Sequence, residues 1–154
     1  MTKVLNTLVV FFVILIATVT ASAQLRTRTS EKSTPPPISA EIRATPAFAE
    51  ILLRRTELES TLEEMLVTYT DEFPRVISTR YELGLINAEL TNFGKMKSTD
   101  APKLTLALGK LLVKRAELAT NYWVLANKYN DQHPDSKKAK KKLEIYDRAI
   151  SEIL

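Results

Sequence analysis

The chain has 154 residues, enough for one domain with or without a tail. It contains no cysteine and only one histidine, which excludes disulfides, thiol chemistry and zinc sites of ordinary composition. The net charge of +4 is modest and favours contact with anionic surfaces without requiring it.

The N-terminus has the pattern of a secretory signal peptide, residues 1–23. Lys3 supplies a positive start, an apolar run follows over 8–19, and the small residues of 21–23 suit signal peptidase. The apolar core spans about a dozen residues, short of the ~20 that cross a bilayer. The pattern predicts cleavage before Gln24 and a secreted, periplasmic chain, with an uncleaved membrane anchor as the alternative.

Residues 24–45 have the composition of a linker. They carry few large apolar side chains and three consecutive prolines at 35–37. Such a stretch cannot bury enough surface to offset its ordering entropy. We therefore expect a disordered, Pro-rich tether, followed by a folded domain over 46–154.

The folded part contains an internal repeat. The segment YTDEFPRV at 69–76 returns as YNDQHPDS at 129–136, an offset of 60 residues. This offset aligns repeat 1, about 48–93, with repeat 2, about 108–153. The identical pairs include Leu52/Leu112, Arg55/Arg115, Glu57/Glu117, Leu58/Leu118, Tyr69/Tyr129, Asp71/Asp131, Pro74/Pro134 and Leu83/Leu143.

Each repeat has the apolar spacing of an antiparallel helical hairpin. Apolar residues recur three and four positions apart on both sides of each turn, and they face one another if the chain reverses at 70–73 and at 130–133. We therefore predict an all-α fold of two duplicated antiparallel hairpins, four helices in all, as a bundle or a coiled-coil pair. Gly94 is a candidate C-cap of the second helix, and Asp100 a candidate N-cap of the third.

The residues shared by the two turns suit structural roles. The aspartates can accept backbone N–H bonds, and the prolines fit the first turn of the returning helix. Tyr69 and Tyr129 are expected to close the seam with the ring inside and the hydroxyl near water. His133 directly precedes a proline, and we expect it to cap the last helix or to contact solvent.

The sequence does not predict a catalytic, cofactor or metal site. It has no glycine-rich phosphate loop and no HExxH motif. A lone histidine needs a positioned acid and nucleophile for relay catalysis, and nothing in the pattern argues for them. An enzyme is therefore the weakest of the functional classes considered.

The second and third helices each carry a second apolar stripe. The stripe of the second helix is Ile77, Tyr81, Leu85 and Ala88. The stripe of the third helix is Leu112, Ala116, Ala119, Trp123 and Ala126. The two stripes either pack together within one chain or form a dimer interface, and the sequence leaves both open.

Three features are candidate partner contacts. Arg55 and Arg115 interrupt the apolar seam at matching positions, either as register-fixing ion pairs or as a binding notch. Trp123 is the aromatic member of the small-residue stripe. The lysine run consists of Lys137, Lys138, Lys140, Lys141 and Lys142.

The lysine run suits a solvated face or an anionic partner. Cations in the first turns of a helix oppose its dipole, which makes a binding role more credible here than elsewhere. Nucleic acid is not predicted, because interleaved aromatic residues or arginines are missing.

The turns resemble the periplasmic coiled-coil hairpins of bacterial polysaccharide co-polymerases, the chain-length determinants. Those hairpins carry a Tyr-x-x-x-His-Pro-x-Val reversal. Here Phe73 stands in the histidine place of the first copy, and Ser136 in the valine place of the second. The resemblance implies the hairpin and not chain-length control.

Taken with the signal peptide, these patterns predict a periplasmic binding or scaffold protein. It would act through contacts with an envelope protein or an anionic surface, and a homo-oligomer is compatible with the pattern. The alternative is a holdase-type chaperone that grips clients with the stripe around Trp123.

Overall fold

The computed structural model describes residues 38–130 and 132–154, and this part of the chain is all-α, with no strand. The helices are α1 (Ala40–Arg43), α2 (Pro46–Leu66), α3 (Pro74–Lys95), α4 (Leu106–Lys128) and α5 (Pro134–Ser151), with a 3-10 helix, Ser98–Lys103, between α3 and α4. No helix among the described residues is long and apolar enough to cross a membrane. The predicted signal peptide, most of the predicted linker and Asp131 lie outside the described residues.

The packed region begins before residue 46. The side chain of Ser39 caps α1 by accepting a hydrogen bond from the Ile42 N–H at 3.3 Å. Ile42 is fully buried, and Ile38 packs against the same core. The last residues of the predicted linker, from Ile38 onward, therefore belong to the packed structure.

Threonines 60 residues apart begin α2 and α4 in the same way. The hydroxyl of Thr45 accepts from the Phe48 N–H, and that of Thr105 accepts from the Leu108 N–H, each at 3.3 Å. This is the usual N-cap arrangement, which satisfies one of the free N–H groups at a helix start.

Two predicted caps were wrong. Asp100 does not cap α4; its carboxylate accepts from the Lys97 N–H at 3.3 Å and so begins the 3-10 helix. Gly94 lies inside α3, which continues to Lys95, and no residue described in the structure has a positive φ. The glycine is therefore not used for a left-handed C-cap.

The long helices form two pairs. The first helical pair is α2 with α3 and the second is α4 with α5, each joined by a short turn and packed along its length. The rings of Phe48 and Phe93, at opposite ends of the first pair's sequence, lie 6.3 Å apart, which makes that pair antiparallel.

Helix α4 joins the two pairs by packing on both helices of the first. It runs parallel to α2 and antiparallel to α3, against which Trp123 stacks on Tyr81 at 4.5 Å. Helix α5 packs along α4 and makes at most marginal contact with α2 and α3. The long helices therefore do not form a closed four-helix bundle; α2, α3 and α4 form a three-helix core, with α5 on its outside.

The contact between α2 and α4 was not predicted, and it depends on small residues. A Cβ on Gly109 would lie 2.8 Å from the Cα of Ala47, so the two backbones meet directly. The Ala47 N–H also donates to the Leu104 carbonyl at 3.2 Å. The predicted contact between the stripes of α3 and α4 is present at Tyr81 and Trp123, but α4 packs more extensively on α2.

The buried core lies around this junction. It contains Ile42, Ala47, Ile51, Leu58, Ile86, Leu90, Phe93, Leu104, Leu108, Leu112, Ala116 and Ile150. Most of these residues come from α2, α3 and α4. The seam of the second pair is covered from fewer sides, and Leu118 is only half-buried where its counterpart Leu58 is buried.

The two turns share an aromatic stack. Tyr69 stacks on Phe73 and Tyr129 stacks on His133, both with ring centroids 4.1 Å apart. The expectation of inward-facing tyrosine rings was wrong for Tyr69, which is 46% exposed. The stack holds the ring over the turn, where it covers the residue that precedes the proline.

The polar contacts of the first turn differ from those of the second. The Nδ1 atom of His133 accepts from the Asp135 N–H at 3.2 Å, which confirms the predicted cap of α5. Asp71 does not accept a backbone bond; it pairs with Arg80 on α3. In the second turn the Asn130 carboxamide accepts from the Gln132 N–H at 3.1 Å.

Candidate functional site

A polar groove with a volume of about 460 Å³ lies where α2, α3 and α4 meet. We call it the first groove. Its lining is Arg54, Glu57, Leu58, Thr61, Arg75, Ser78, Thr79, Glu82, Thr120, Asn121 and Val124.

An ion-pair network around Arg54 connects the three helices at this groove. The guanidinium donates to the Glu82 carboxylate of α3, from Nε at 2.9 Å and from Nη2 at 2.6 Å. It also pairs with Glu57 at 3.2 Å and lies 3.6 Å from Glu117 of α4. Burial acts to lower the pKa of Arg54, but the hydrogen bonds and charges of these carboxylates outweigh burial and raise it.

Sequence reasoning missed Arg54 because it selected residues that interrupt the seam, and Arg54 lies beside it. A usable signal was present at the 60-residue offset. Lys114 replaces Arg54 there, and it pairs with Glu117 at 2.6 Å as Arg54 pairs with Glu57. A cation followed three residues later by a glutamate is thus common to both copies.

The first groove offers hydrogen-bonding groups more than a reactive centre. Thr79 and Thr120 are buried in it, and the Thr120 hydroxyl donates to the Ala116 carbonyl at 2.9 Å. The charge of Arg54 is already matched by carboxylates. Among the described residues, no group of three or more histidine, aspartate or glutamate side chains is placed to hold a metal ion.

The two seam arginines lie in different surroundings. Arg55 pairs with Glu59 on its own helix at 2.9 Å. Arg115 connects three helices, because it pairs with Asp147 of α5 and lies 3.5 Å from Glu89 of α3. Each is half-buried and engaged in an ion pair, and they do not meet in one notch.

Trp123 lies on the face of α4 that packs against α3. It is half-buried under the Tyr81 ring, and the planes of the two rings differ by 11°. Leu112 and Ala116 of the same stripe are buried. The stripe that a chaperone would use for its clients is therefore engaged within the chain.

The lysine run forms an exposed basic surface on the first turns of α5. The side chains of Lys138 and Lys141 are 76% and 79% exposed. Lys141 donates to Glu144 at 2.8 Å, and this hydrogen bond lowers the pKa of that carboxyl. All five lysines are exposed to solvent.

A second groove, of about 250 Å³, lies between α4 and α5 beside the lysines. Its lining is more apolar than that of the first groove and consists of Leu118, Asn121, Leu125, Asp135, Lys138, Ala139 and Lys142. The structure thus brings part of the lysine run together with apolar residues of α4. It keeps these residues apart from Arg55.

Comparison with known proteins does not suggest a function, so the surfaces described above are the basis for assigning one. No protein-family model matches the chain, and no curated protein or solved structure is significantly similar to it.

Proposed function

We propose that the chain consists of two copies of one helical hairpin and acts as a scaffold or adaptor by binding, without catalysis. Three features recur at an offset of 60 residues and support the duplication. They are the threonine caps of α2 and α4, the aromatic stacks at the turns, and the cation–glutamate pairs of Arg54 and Lys114. The resemblance of the turns to co-polymerase hairpins agrees with this architecture.

The exposed basic surface of α5 is the observation that carries the binding proposal. Five lysines stand in the first turns of a helix, where they oppose the helix dipole. Within the described part of the chain their helix packs chiefly along α4, and all five side chains are exposed. Their charge selects an anionic partner, an acidic envelope protein or an anionic envelope surface.

We place this activity outside the cytoplasm, in the periplasm. The support is the signal-peptide pattern of residues 1–23 and the absence of cysteine from the sequence. Export would bring the basic surface to the envelope components that it is suited to bind.

In-cell cross-linking followed by pull-down of the tagged full chain from the envelope fraction tests the proposal. We expect one or two stoichiometric partners, and their recovery should fall when Lys137 and Lys140 are both replaced by glutamate. The matched control changes Lys95 and Lys97, which lie far from α5 in the sequence, in the same way.

The outcomes separate the two functional classes. A broad set of substoichiometric envelope clients would favour a holdase, and exposed Leu53 and Val67 on and after α2 would then be its apolar surface. Equal recovery from the lysine variant and the wild type would contradict binding through α5.

A further inference from the structure

The two grooves occupy equivalent places in the two helical pairs. All but one of the residues lining the second groove are counterparts, 60 residues on, of residues lining the first. The matched pairs are Leu58/Leu118, Thr61/Asn121, Arg75/Asp135, Ser78/Lys138, Thr79/Ala139 and Glu82/Lys142. The second helical pair thus repeats the surface that the first pair presents to α4.

The grooves differ in what covers them. The first groove is walled on its remaining side by Thr120, Asn121 and Val124 of α4. Within the described residues, no further helix stands in the corresponding place over the second groove. The surface that accepts a helix in the first pair is therefore open in the second.

Helix α4 packs on the first helical pair through one of its faces. The equivalent residues of α2, 60 positions earlier, lie on the outer face of α2. Leu112 of α4 is 4% exposed, whereas its counterpart Leu52 is 40% exposed. On the surface that α4 packs against, Leu85 of α3 contacts the core. Its counterpart in the second pair, Ile145 of α5, is 61% exposed. The internal contact is thus apolar, and apolar residues also occupy both open surfaces.

The charges on the two open surfaces are opposite. The face of α2 that corresponds to the docking face of α4 carries exposed glutamates at 57, 63 and 64, and we call it the acidic face. Lys138 and Lys142 of α5 line the second groove with Asp135, so its lining has a net positive charge. Two such surfaces attract each other and select one orientation.

Two residue pairs that join α4 to the first helical pair have counterparts of opposite charge on the second helical pair and the acidic face. Arg54 lies 3.6 Å from Glu117 within the chain, and the counterparts of this pair are Lys114 and Glu57. Where Tyr81 stacks on Trp123, the counterparts are Lys141 and Glu63, again of opposite charge.

We propose that the second groove binds the acidic face of another copy of this chain, repeating between molecules the contact made by α4 within one. The interface is head-to-tail, so an open assembly keeps a free groove at one end and a free acidic face at the other. Ala49 stands where α4 has Gly109, so the copies sit farther apart at that end than α2 and α4 do. This inference rests on the proposed scaffold function and names one partner for it.

Sedimentation velocity on the purified protein, obtained by expressing the full chain, measures this contact without any envelope component. We expect the mean mass to rise with protein concentration and to fall when salt is added, since exposed charges contribute. Reversing two lysines, Lys138→Glu with Lys142→Glu, should weaken self-association by about tenfold or more, because like charges then meet. Reversing Glu63→Lys with Glu64→Lys should do the same.

Mixing the two charge-reversal variants is the decisive test of the contact. Each variant alone presents two surfaces of one sign, but a mixture restores opposite signs at every contact, so association should return. The control, Lys137→Glu with Lys140→Glu, carries the same charge change away from the groove and should associate as the wild type does. A wild type that stays monomeric, or a mixture that fails to associate, overturns the proposal while leaving envelope binding to its own test.

Cysteine cross-linking fixes the orientation, because the chain has no cysteine of its own. Val124 and Ser78 line the first groove together, and their counterparts are Glu64 and Lys138. Chains carrying Glu64→Cys and Lys138→Cys should therefore form a mixed disulfide when combined and oxidised. Preferential cross-linking of Glu64→Cys chains to each other would indicate a symmetric dimer and contradict the head-to-tail contact.

Discussion

Gly109 lies so close to Ala47 that a methyl group at position 109 would come within 2.8 Å of the Ala47 Cα and 2.9 Å of the Glu50 Cβ. Real Cβ atoms essentially never approach backbone so closely. The parallel packing of α2 and α4 therefore depends on a residue without a side chain.

We expect Gly109→Ala to lower the free energy of unfolding by about 1–3 kcal/mol, because the added carbon overpacks this contact. Gly84→Ala is the matched control, since a Cβ there meets nothing within 4 Å. It should raise the free energy of unfolding by about 0.5–1 kcal/mol through helix propensity. Urea unfolding of both variants measures the difference, and equal effects would contradict the close approach.

Leu58 and Leu118 are equivalent in sequence but differ in burial. Leu58 is 6% exposed beneath α4, whereas Leu118 is half-buried beside the second groove. Leu58→Ala should cost about 2–5 kcal/mol as a core cavity. Leu118→Ala should cost less than half as much, although the repeat alone predicts equal losses. Thermal and urea unfolding distinguish these cases, and a loss below about 0.5 kcal/mol at Leu58 would show that it is not in the core.

Ser136 is buried to 1% exposure, and its hydroxyl has no hydrogen-bond partner among the described residues. The first pair has the fully buried Val76 at this position. Ser136→Val should therefore raise the free energy of unfolding by about 1 kcal/mol, because it removes an unsatisfied polar group. The reverse change, Val76→Ser, should lower it by about 1–3 kcal/mol. A destabilised Ser136→Val variant would indicate that the hydroxyl has a partner in solution.

The pairing of Arg54 with Glu82 should be energetically coupled. Their side chains are 25% and 11% exposed, so solvent screens the pair only in part. In a double-mutant cycle of Arg54→Met and Glu82→Gln, we expect a coupling of about 1–2 kcal/mol. The exposed pair Lys141 and Glu144 is the comparison and should show much weaker coupling, because solvent screens it. Similar coupling in both cycles would contradict a role for burial.

Local sequence patterns predicted the features that depend on near neighbours. The all-α class, the helix starts at Pro74 and Pro134 and the cap by His133 follow from spacing and turn chemistry, and all are present. Gly94 and Asp100 were assigned wrongly because cap preference depends on where a helix actually ends. That end is set here by the unpredicted 3-10 helix of Ser98–Lys103.

Contacts between helices were predictable only in part. The stripes that contain Tyr81 and Trp123 indicated that α3 and α4 meet. The parallel contact of α2 with α4 was not predicted, because a single glycine in an apolar stretch has no periodic signal. Arg54 was missed because its partners come from three helices, and spacing along one helix does not show them.

Among the described residues, helix α5 packs along α4 and makes at most marginal contact with the other helices. Local opening needs less free energy where few buried apolar contacts are lost, so α5 should separate from α4 without disrupting the three-helix core. Its amides should exchange with deuterium earlier than those of α2 and α4, and proteases should cut first in the turn that precedes Pro134. The part of the molecule that carries the lysines is therefore also the part that can detach, so a partner bound there would protect the chain from exchange and proteolysis.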